Sequence, residues 1–206
     1  MESEESAMKV DVGGIVVHQE HLSAADQVEL VEQVRRVVRA APLYRPETKT
    51  GRKMSVRMTS AGTYGWISDR KGYRYERQHP NGEDWPPMPP MALEIWRAVS
   101  GVARDPQSCL INYYDEGAKM GLHQDRDEAD FDMPVVSVSL GDEALFRVGG
   151  PKRGGKTQSI WLKSGDVAVI GGPARLNFHG IDRVRAGSSS LLPNGGRINL
   201  TMRVVD

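Results

Sequence analysis

The chain holds a single cysteine, Cys109, in 206 residues. No internal disulfide can form, which suits a reducing compartment. Flanked by Leu110 and Ile111, that thiol reads as a buried structural group. Long apolar runs are also missing: nothing approaches the ~20 residues of a membrane span. The first seven residues, MESEESA, lack the basic and apolar stretches of a signal peptide. A soluble, cytoplasmic protein with no membrane partner is expected, with an acidic, disordered tail over residues 1–8. Net charge is absent too, because Lys+Arg and Asp+Glu number 27 each. That excludes a global basic field, so any nucleic-acid contact must come from a local patch. At this length one domain, over 9–206, can bury a sizeable core without staples. Nothing suggests an obligate dimer, and a monomer is expected.

What is present changes texture along the chain. Gly14-Ile15-Val16-Val17 reads as a short strand. Ser23 with Asp26 three residues on resembles a capping box, and Val28, Val31, Val34 and Val38 follow at helical spacing until Pro42 stops the run. A second helix is expected after Pro89-Pro90, ending at Gly101. Both helices have the character of a buttress on a sheet. From Cys109 on, short β-rich pieces alternate with Gly and Pro, which indicates a sandwich or jelly roll over about 109–206 and not a βαβ sheet. The Gly149-Gly150, Gly154-Gly155 and Gly171-Gly172 pairs are turns, since none joins a strand to a helix as a phosphate cradle requires. Ser188 to Gly196 reads as a mobile polar loop.

Two patterns carry chemistry. The run Arg197 to Arg203 alternates, so Arg197, Asn199, Thr201 and Arg203 share one face of a strand while Ile198, Leu200 and Met202 share the other. The arginine backbones lie ~20 Å apart, and their side chains, curling inward from both ends, leave room for a five-carbon dicarboxylate. An edge strand with a solvated polar face is the competing interpretation, at even odds on this run alone. The second pattern is His123-Gln124-Asp125 with His179 far downstream: two imidazoles and a carboxylate, the donor set of non-haem iron(II) oxygenases. A third region, Lys49 to Trp85, interleaves Trp66, Tyr73 and Tyr75 with Arg52, Lys53, Arg57, Arg70, Lys71, Arg74 and Arg77. Rings among cations are what a single-stranded nucleic-acid platform uses. Trp66 and Tyr73 lean to substrate contact, whereas Tyr75 reads as a pin between a long loop and the barrel.

Together these residues resemble the AlkB family of iron(II)- and 2-oxoglutarate-dependent nucleic-acid dealkylases. The stretches that carry the likeness are Met54-Ser55-Val56, Gly65-Trp66, Gly72-Tyr73, Leu110 to Tyr114, His123 to Glu128, Val136 to Gly141, Gly165-Asp166-Val167, Phe178 to Ile181 and Arg197 to Arg203. The resemblance implies an α+β fold: a double-stranded β-helix (jelly roll) core, N-terminal buttressing helices and a nucleotide-recognition lid over about 49–85. It implies that His123, Asp125 and His179 bind Fe(II) and form the catalytic centre, with 2-oxoglutarate and O2 as co-substrates. Arg197, helped by Tyr114 and Asn112, takes the distal carboxylate of 2-oxoglutarate, and Asn199, Thr201 and Arg203 complete that site. Asp127 faces the exocyclic amine of a damaged base, while Trp66, Tyr73 and Met58 hold the nucleotide.

The implied activity is oxidative demethylation of N-alkylated bases of the 1-methyladenine and 3-methylcytosine type in single- or double-stranded DNA, with RNA as a second substrate, as direct-reversal DNA repair. The rivals are an oxygenase of tRNA or protein, and a non-catalytic metal-binding jelly roll. One departure stands out: Ile170 occupies the place of a tryptophan that some bacterial members carry, which is expected to loosen one wall of the base pocket.

Overall fold

The computed structural model describes residues 8–206, so the expected acidic tail lies, apart from Met8, outside the described residues. Met8 itself is tied down, its carbonyl accepting from Gln19 N at 2.9 Å. The elements in order are β1 (Lys9–Val12), β2 (Ile15–His18), α1 (Ala24–Ala40), β3 (Arg57–Gly62), β4 (Gly65–Asp69), β5 (Gly72–Glu76), α2 (Pro90–Val99), β6 (Ser108–Tyr114), β7 (Met120–His123), β8 (Val135–Gly141), β9 (Glu143–Val148), β10 (Gln158–Leu162), β11 (Val167–Ile170), β12 (His179–Arg185) and β13 (Arg197–Arg203). One 3-10 turn, Gly172–Ala174, follows the Gly171-Gly172 pair and is too short to serve as a phosphate-binding helix. Among the described residues no helix is long and apolar enough to cross a membrane.

The strands form an antiparallel jelly roll. A seven-stranded sheet has the order β1-β2-β11-β8-β13-β6-β3 and faces a four-stranded sheet, β10-β9-β12-β7. The hairpin β4–β5 stands apart as a two-stranded sheet. The large sheet is covered on both faces. Its outer face packs Ile111, Val136, Val138, Leu200 and Met202 against Leu30, Val34, Ala92, Ile95 and Trp96 of the two helices. Its inner face meets the small sheet through Leu110, Tyr114, Val135, Phe146, Ile170 and Ile181. The site lies in this second, inter-sheet layer.

Local chemistry explains the helices. Ser23 Oγ accepts from Asp26 N and Asp26 Oδ2 from Ser23 N, each at 3.2 Å, so two otherwise orphaned amides are satisfied at the start of α1. Pro90 opens α2 at a position where no amide hydrogen is needed.

Three expectations change. The segment from Lys49 to Trp85 is not one long loop: β3 joins the large sheet beside β6, and β4–β5 make a hairpin. Its polar strand residues hid this, Thr59, Ser60 and Ser68 among them though buried, since apolar runs are the usual strand signal. The strand Arg197–Arg203 is not at an edge but central, hydrogen-bonded to β6 and β8, and all seven of its residues are buried. The loop from Ser188 to Gly196 is anchored: the buried Asp142 carboxylate accepts from the amides of Ser189 at 3.0 Å and Gly196 at 2.9 Å, and from Gly187 just before them at 3.3 Å.

Candidate active site

β7 and β12 lie side by side with His123 and His179 as Cα partners, which sets two distant histidines face to face. Gly180 permits the approach, because a Cβ there would sit 2.5 Å from the Met120 carbonyl oxygen. Asp125 follows at the end of β7. The two imidazole Nε2 atoms lie 3.7 Å (His123) and 3.6 Å (His179) from Asp125 carboxylate oxygens. One ligand atom from each of the three falls within 4.8 Å of the others.

The proton arrangement suits a cation. His123 Nδ1 is 3.0 Å from Gly121 O and His179 Nδ1 is 3.0 Å from Asn177 O, so both rings carry their proton on Nδ1 and turn bare Nε2 lone pairs inward. Burial lowers the pKa of His123, and the neighbouring His179 adds to the effect, which keeps the ring neutral near pH 7. Burial alone would raise Asp125, but Arg203 and the two imidazoles outweigh it and hold the carboxyl well below the usual range. Asp125 Oδ2 is buried with no hydrogen-bond partner. Two free imidazole nitrogens and one orphaned carboxylate oxygen at this spacing fit a divalent iron.

Two cavities meet at this triad. The inner one, about 60 Å³, is lined by the polar face of β13 and by Asn112, Tyr114 and Ser137. Arg197 is 1% exposed and sits over the Tyr114 ring, its Cζ 5.1 Å from the centroid. Its one hydrogen bond is from Nη2 to Ser139 Oγ at 2.9 Å, leaving Nε and Nη1 unbonded. A buried guanidinium with no anion is costly, and a carboxylate is its natural complement. Asn112, Asn199 and Thr201 form a chain beside it: Asn112 Nδ2 donates at 3.2 Å and Thr201 Oγ1 at 2.8 Å to Asn199 Oδ1. Asn112 Oδ1 remains without a partner.

The two arginines of β13 are therefore not equivalent, contrary to the symmetric clamp expected from alternation. Arg203 is already ion-paired, donating from Nη2 to Asp125 Oδ1 at 3.0 Å and lying 3.3 Å from Glu128, although its Nε and Nη1, like those of Arg197, make no hydrogen bond. Its position beside the metal carboxylate could be read only in three dimensions.

The outer cleft, about 630 Å³ and open to solvent, is lined by Met54, Met58, Trp66, Tyr73, Asp127, Arg153 and Phe178. Trp66 and Tyr73 stack on each other, centroids 5.5 Å apart at 22°. They occupy diagonal positions on one face of the β4–β5 hairpin, whose pairing sets Trp66 opposite Tyr75 and Tyr73 opposite Ser68. Trp66 Nε1 donates to Asp127 Oδ2 at 2.8 Å, and Lys49 Nζ lies over Tyr73 at 5.4 Å. Met58 is 1% exposed, so it supplies floor and not a reaching side chain. Ile170 lines the inner cavity and not the outer cleft, so the expected loosening falls on the inner cavity.

A profile of the 2OG-Fe(II) oxygenase superfamily matches residues 14–203. The chain is 53% identical over 183 residues to the alpha-ketoglutarate-dependent dioxygenase AlkB homolog of Caulobacter vibrioides (strain NA1000 / CB15N), across 88% of this chain and 83% of that protein. It is 39% identical over 196 residues to the alpha-ketoglutarate-dependent dioxygenase AlkB of Escherichia coli (strain K12), across 93% and 89%. The chain belongs to the AlkB family. The solved structure of OsALKBH1 matches it with a TM-score of 0.76 at 30% identity, covering 96% of this chain and 99% of that one. For an AlkB member the cofactor is Fe(II) and the co-substrates are 2-oxoglutarate and O2, which agrees with the donor set and the unpaired Arg197 described above.

Sequence reasoning passed over two residues of this AlkB site. Glu128 and Arg175 are buried, and Arg175 donates to the Asp125 carbonyl at 2.8 Å and to Glu128 Oε2 at 3.0 Å. Glu128 stood inside the HQDRDE stretch with no role assigned. Arg175 carried no pattern at all.

Proposed function

We propose that this protein removes alkyl groups from N-alkylated nucleobases in nucleic acid, of the 1-methyladenine and 3-methylcytosine type, with single-stranded DNA the readiest substrate. The observation that carries the reading is the pairing of cavities at one triad: an inner, anion-hungry space at Arg197 and an outer cleft of stacked aromatics rimmed by cations. His123, Asp125 and His179 hold the iron. Arg197, over the Tyr114 ring, takes the distal carboxylate of 2-oxoglutarate through its two unused donors. Asn112, Asn199 and Thr201 orient the remaining oxygens. When bound, iron with 2-oxoglutarate and O2 supplies hydroxylation of the N-alkyl carbon with release of succinate and CO2, and the hydroxyalkyl group then leaves as an aldehyde.

The chain's other residues handle the base. A flipped nucleotide enters the outer cleft, stacks on the free face of the Trp66–Tyr73 pair, and lies over the Met58 floor. Asp127 accepts from the exocyclic amine, and its charge favours a cationic alkylated ring. Flipping costs a few kcal/mol, least for a lesion that cannot pair or a base already single-stranded. Lys49, Arg52, Lys53, Arg70 and Lys71 are exposed and have no ion-pair partner among the described residues, so they are free for phosphates.

The test is mass spectrometry of mixed oligonucleotides bearing 1-methyladenine, 3-methylcytosine or ethenoadenine, in DNA and RNA. The protein, Fe(II), 2-oxoglutarate and ascorbate are added, with methylated peptides in parallel. The expected result is loss of the alkyl mass from oligonucleotides, matched by succinate. Succinate coupled to peptides with every oligonucleotide unchanged would overturn the reading.

A further inference from the structure

Three residues past the metal carboxylate, Glu128 holds together more of the site than its neighbours do. Its side chain is 2% exposed, and a carboxylate that deep requires compensation. Three groups supply it. Arg175 Nη2 donates to Oε2 at 3.0 Å, Arg203 Nε lies 3.3 Å from Oε1, and the Tyr75 hydroxyl donates to Oε1 at 2.5 Å. Each arginine also grips Asp125. Arg203 binds its side-chain Oδ1 at 3.0 Å and Arg175 its backbone carbonyl at 2.8 Å. Glu128 is thus the shared anchor of two guanidinium groups that orient the metal carboxylate from two sides.

The tyrosine comes from elsewhere. Tyr75 belongs to the β4–β5 hairpin, which is hydrogen-bonded to neither large sheet. Its cross-strand partner is Trp66, whose Nε1 bonds Asp127, the residue next to Glu128. The hairpin that stacks on the nucleotide is therefore latched at two adjacent residues to the segment 125–128, and one of the latches ends on the anchor of the metal carboxylate.

We propose that Glu128 is a positioning residue, and that the Tyr75–Glu128 hydrogen bond couples seating of the hairpin on nucleic acid to the grip of Asp125 on the metal. The proposal rests on the nucleic-acid reading above. Glu128 is not one of the three residues that hold the metal, so it acts on the metal through Arg203 and Arg175. Nucleic acid that seats the hairpin should tighten metal binding, and by linkage the metal should tighten nucleic-acid binding by the same factor.

The measurement is the dissociation constant of Co(II), read from its visible absorption, for the full chain with 2-oxoglutarate, with and without a 3-methylcytosine oligonucleotide and under argon. Co(II) stands in for iron and no turnover is needed. In the wild type the oligonucleotide should tighten Co(II) by at least about fivefold, the lower end of ordinary coupling. In Tyr75→Phe, which keeps the ring and loses only the hydroxyl, that ratio should fall to about one, and the reciprocal effect of Co(II) on oligonucleotide affinity should vanish with it. Glu128→Gln should lower Co(II) affinity even without nucleic acid, while Glu128→Asp restores part of it. A wild-type ratio of one, or an undiminished ratio in Tyr75→Phe, overturns the coupling while leaving the nucleic-acid reading intact. A wild-type protein that binds Co(II) but no oligonucleotide overturns both.

Discussion

Arg197 keeps two guanidinium nitrogens unbonded in a buried site, so the ligand-free protein carries an unpaired charge. A buried charge without a counter-ion costs several kcal/mol of desolvation that nothing offsets. Arg197→Met should therefore raise the melting temperature of the ligand-free protein, yet abolish the further rise that 2-oxoglutarate produces in the wild type. A drop in the ligand-free melting temperature would mean that Arg197 is structural. Asp125→Ala acts in the opposite sense on stability. It removes a metal ligand and leaves Arg203 without its acceptor at 3.0 Å, so Co(II) titration should show affinity lost by more than tenfold and the fold should weaken. Residue-scale electrostatics also shape the response to acid. Burial, then Lys9 and His21, lowers the pKa of His18, and burial lowers that of His21. The unfolded chain takes up protons at these rings near pH 6.5 while the folded one resists. Their contribution is complete above that value and is lost as pH falls. Melting temperature should decline from pH 7 to 5.5, and a variant lacking both rings should decline less steeply.

At the scale of elements, β13 and α2 show how one sheet serves two layers. Ile198, Leu200 and Met202 point to the helices and the alternate residues to the cavity, so helix packing holds the catalytic face in register. Trp96, fully buried at that contact with Nε1 bonded to Arg104 O at 2.9 Å, is the largest side chain there. Trp96→Ala should cost about 3–5 kcal/mol, read by denaturant unfolding. The β4–β5 hairpin depends on a close approach: a Cβ at Gly65 would lie 2.1 Å from the Trp85 indole. Gly65→Ala should displace the hairpin and weaken oligonucleotide binding in fluorescence anisotropy. Unchanged affinity would show that hairpin placement does not matter to substrate.

The whole molecule has no net charge, so nucleic-acid affinity must come from where its cations lie. Five exposed cations with no ion-pair partner among the described residues lie within residues 49–71, with Lys49 over the Tyr73 ring, whereas Arg74 is engaged with Asp69 and Glu76. Log affinity for a single-stranded oligonucleotide should fall with log salt at a slope of about −0.7 per phosphate engaged. Reversing Lys49, Lys53 and Lys71 to glutamate should flatten that slope, and a slope already near zero in the wild type would deny these cations their role.

Periodicity and residue type were enough for a sandwich or jelly roll, the capping box at Ser23, the two buttressing helices and the alternation of Arg197 to Arg203, because side-chain direction follows from local backbone geometry. The donor chemistry of His123, Asp125 and His179 was legible in the same way. Only the tertiary structure decided that β12 lies against β7 with His179 opposite His123, that Arg203 pairs with Asp125 while Arg197 stays free, and that Glu128 and Arg175 stand behind the metal carboxylate. Those relations depend on which strands meet and in what register, and on which charges burial forces together. Both are set by packing across the molecule, not by any segment alone.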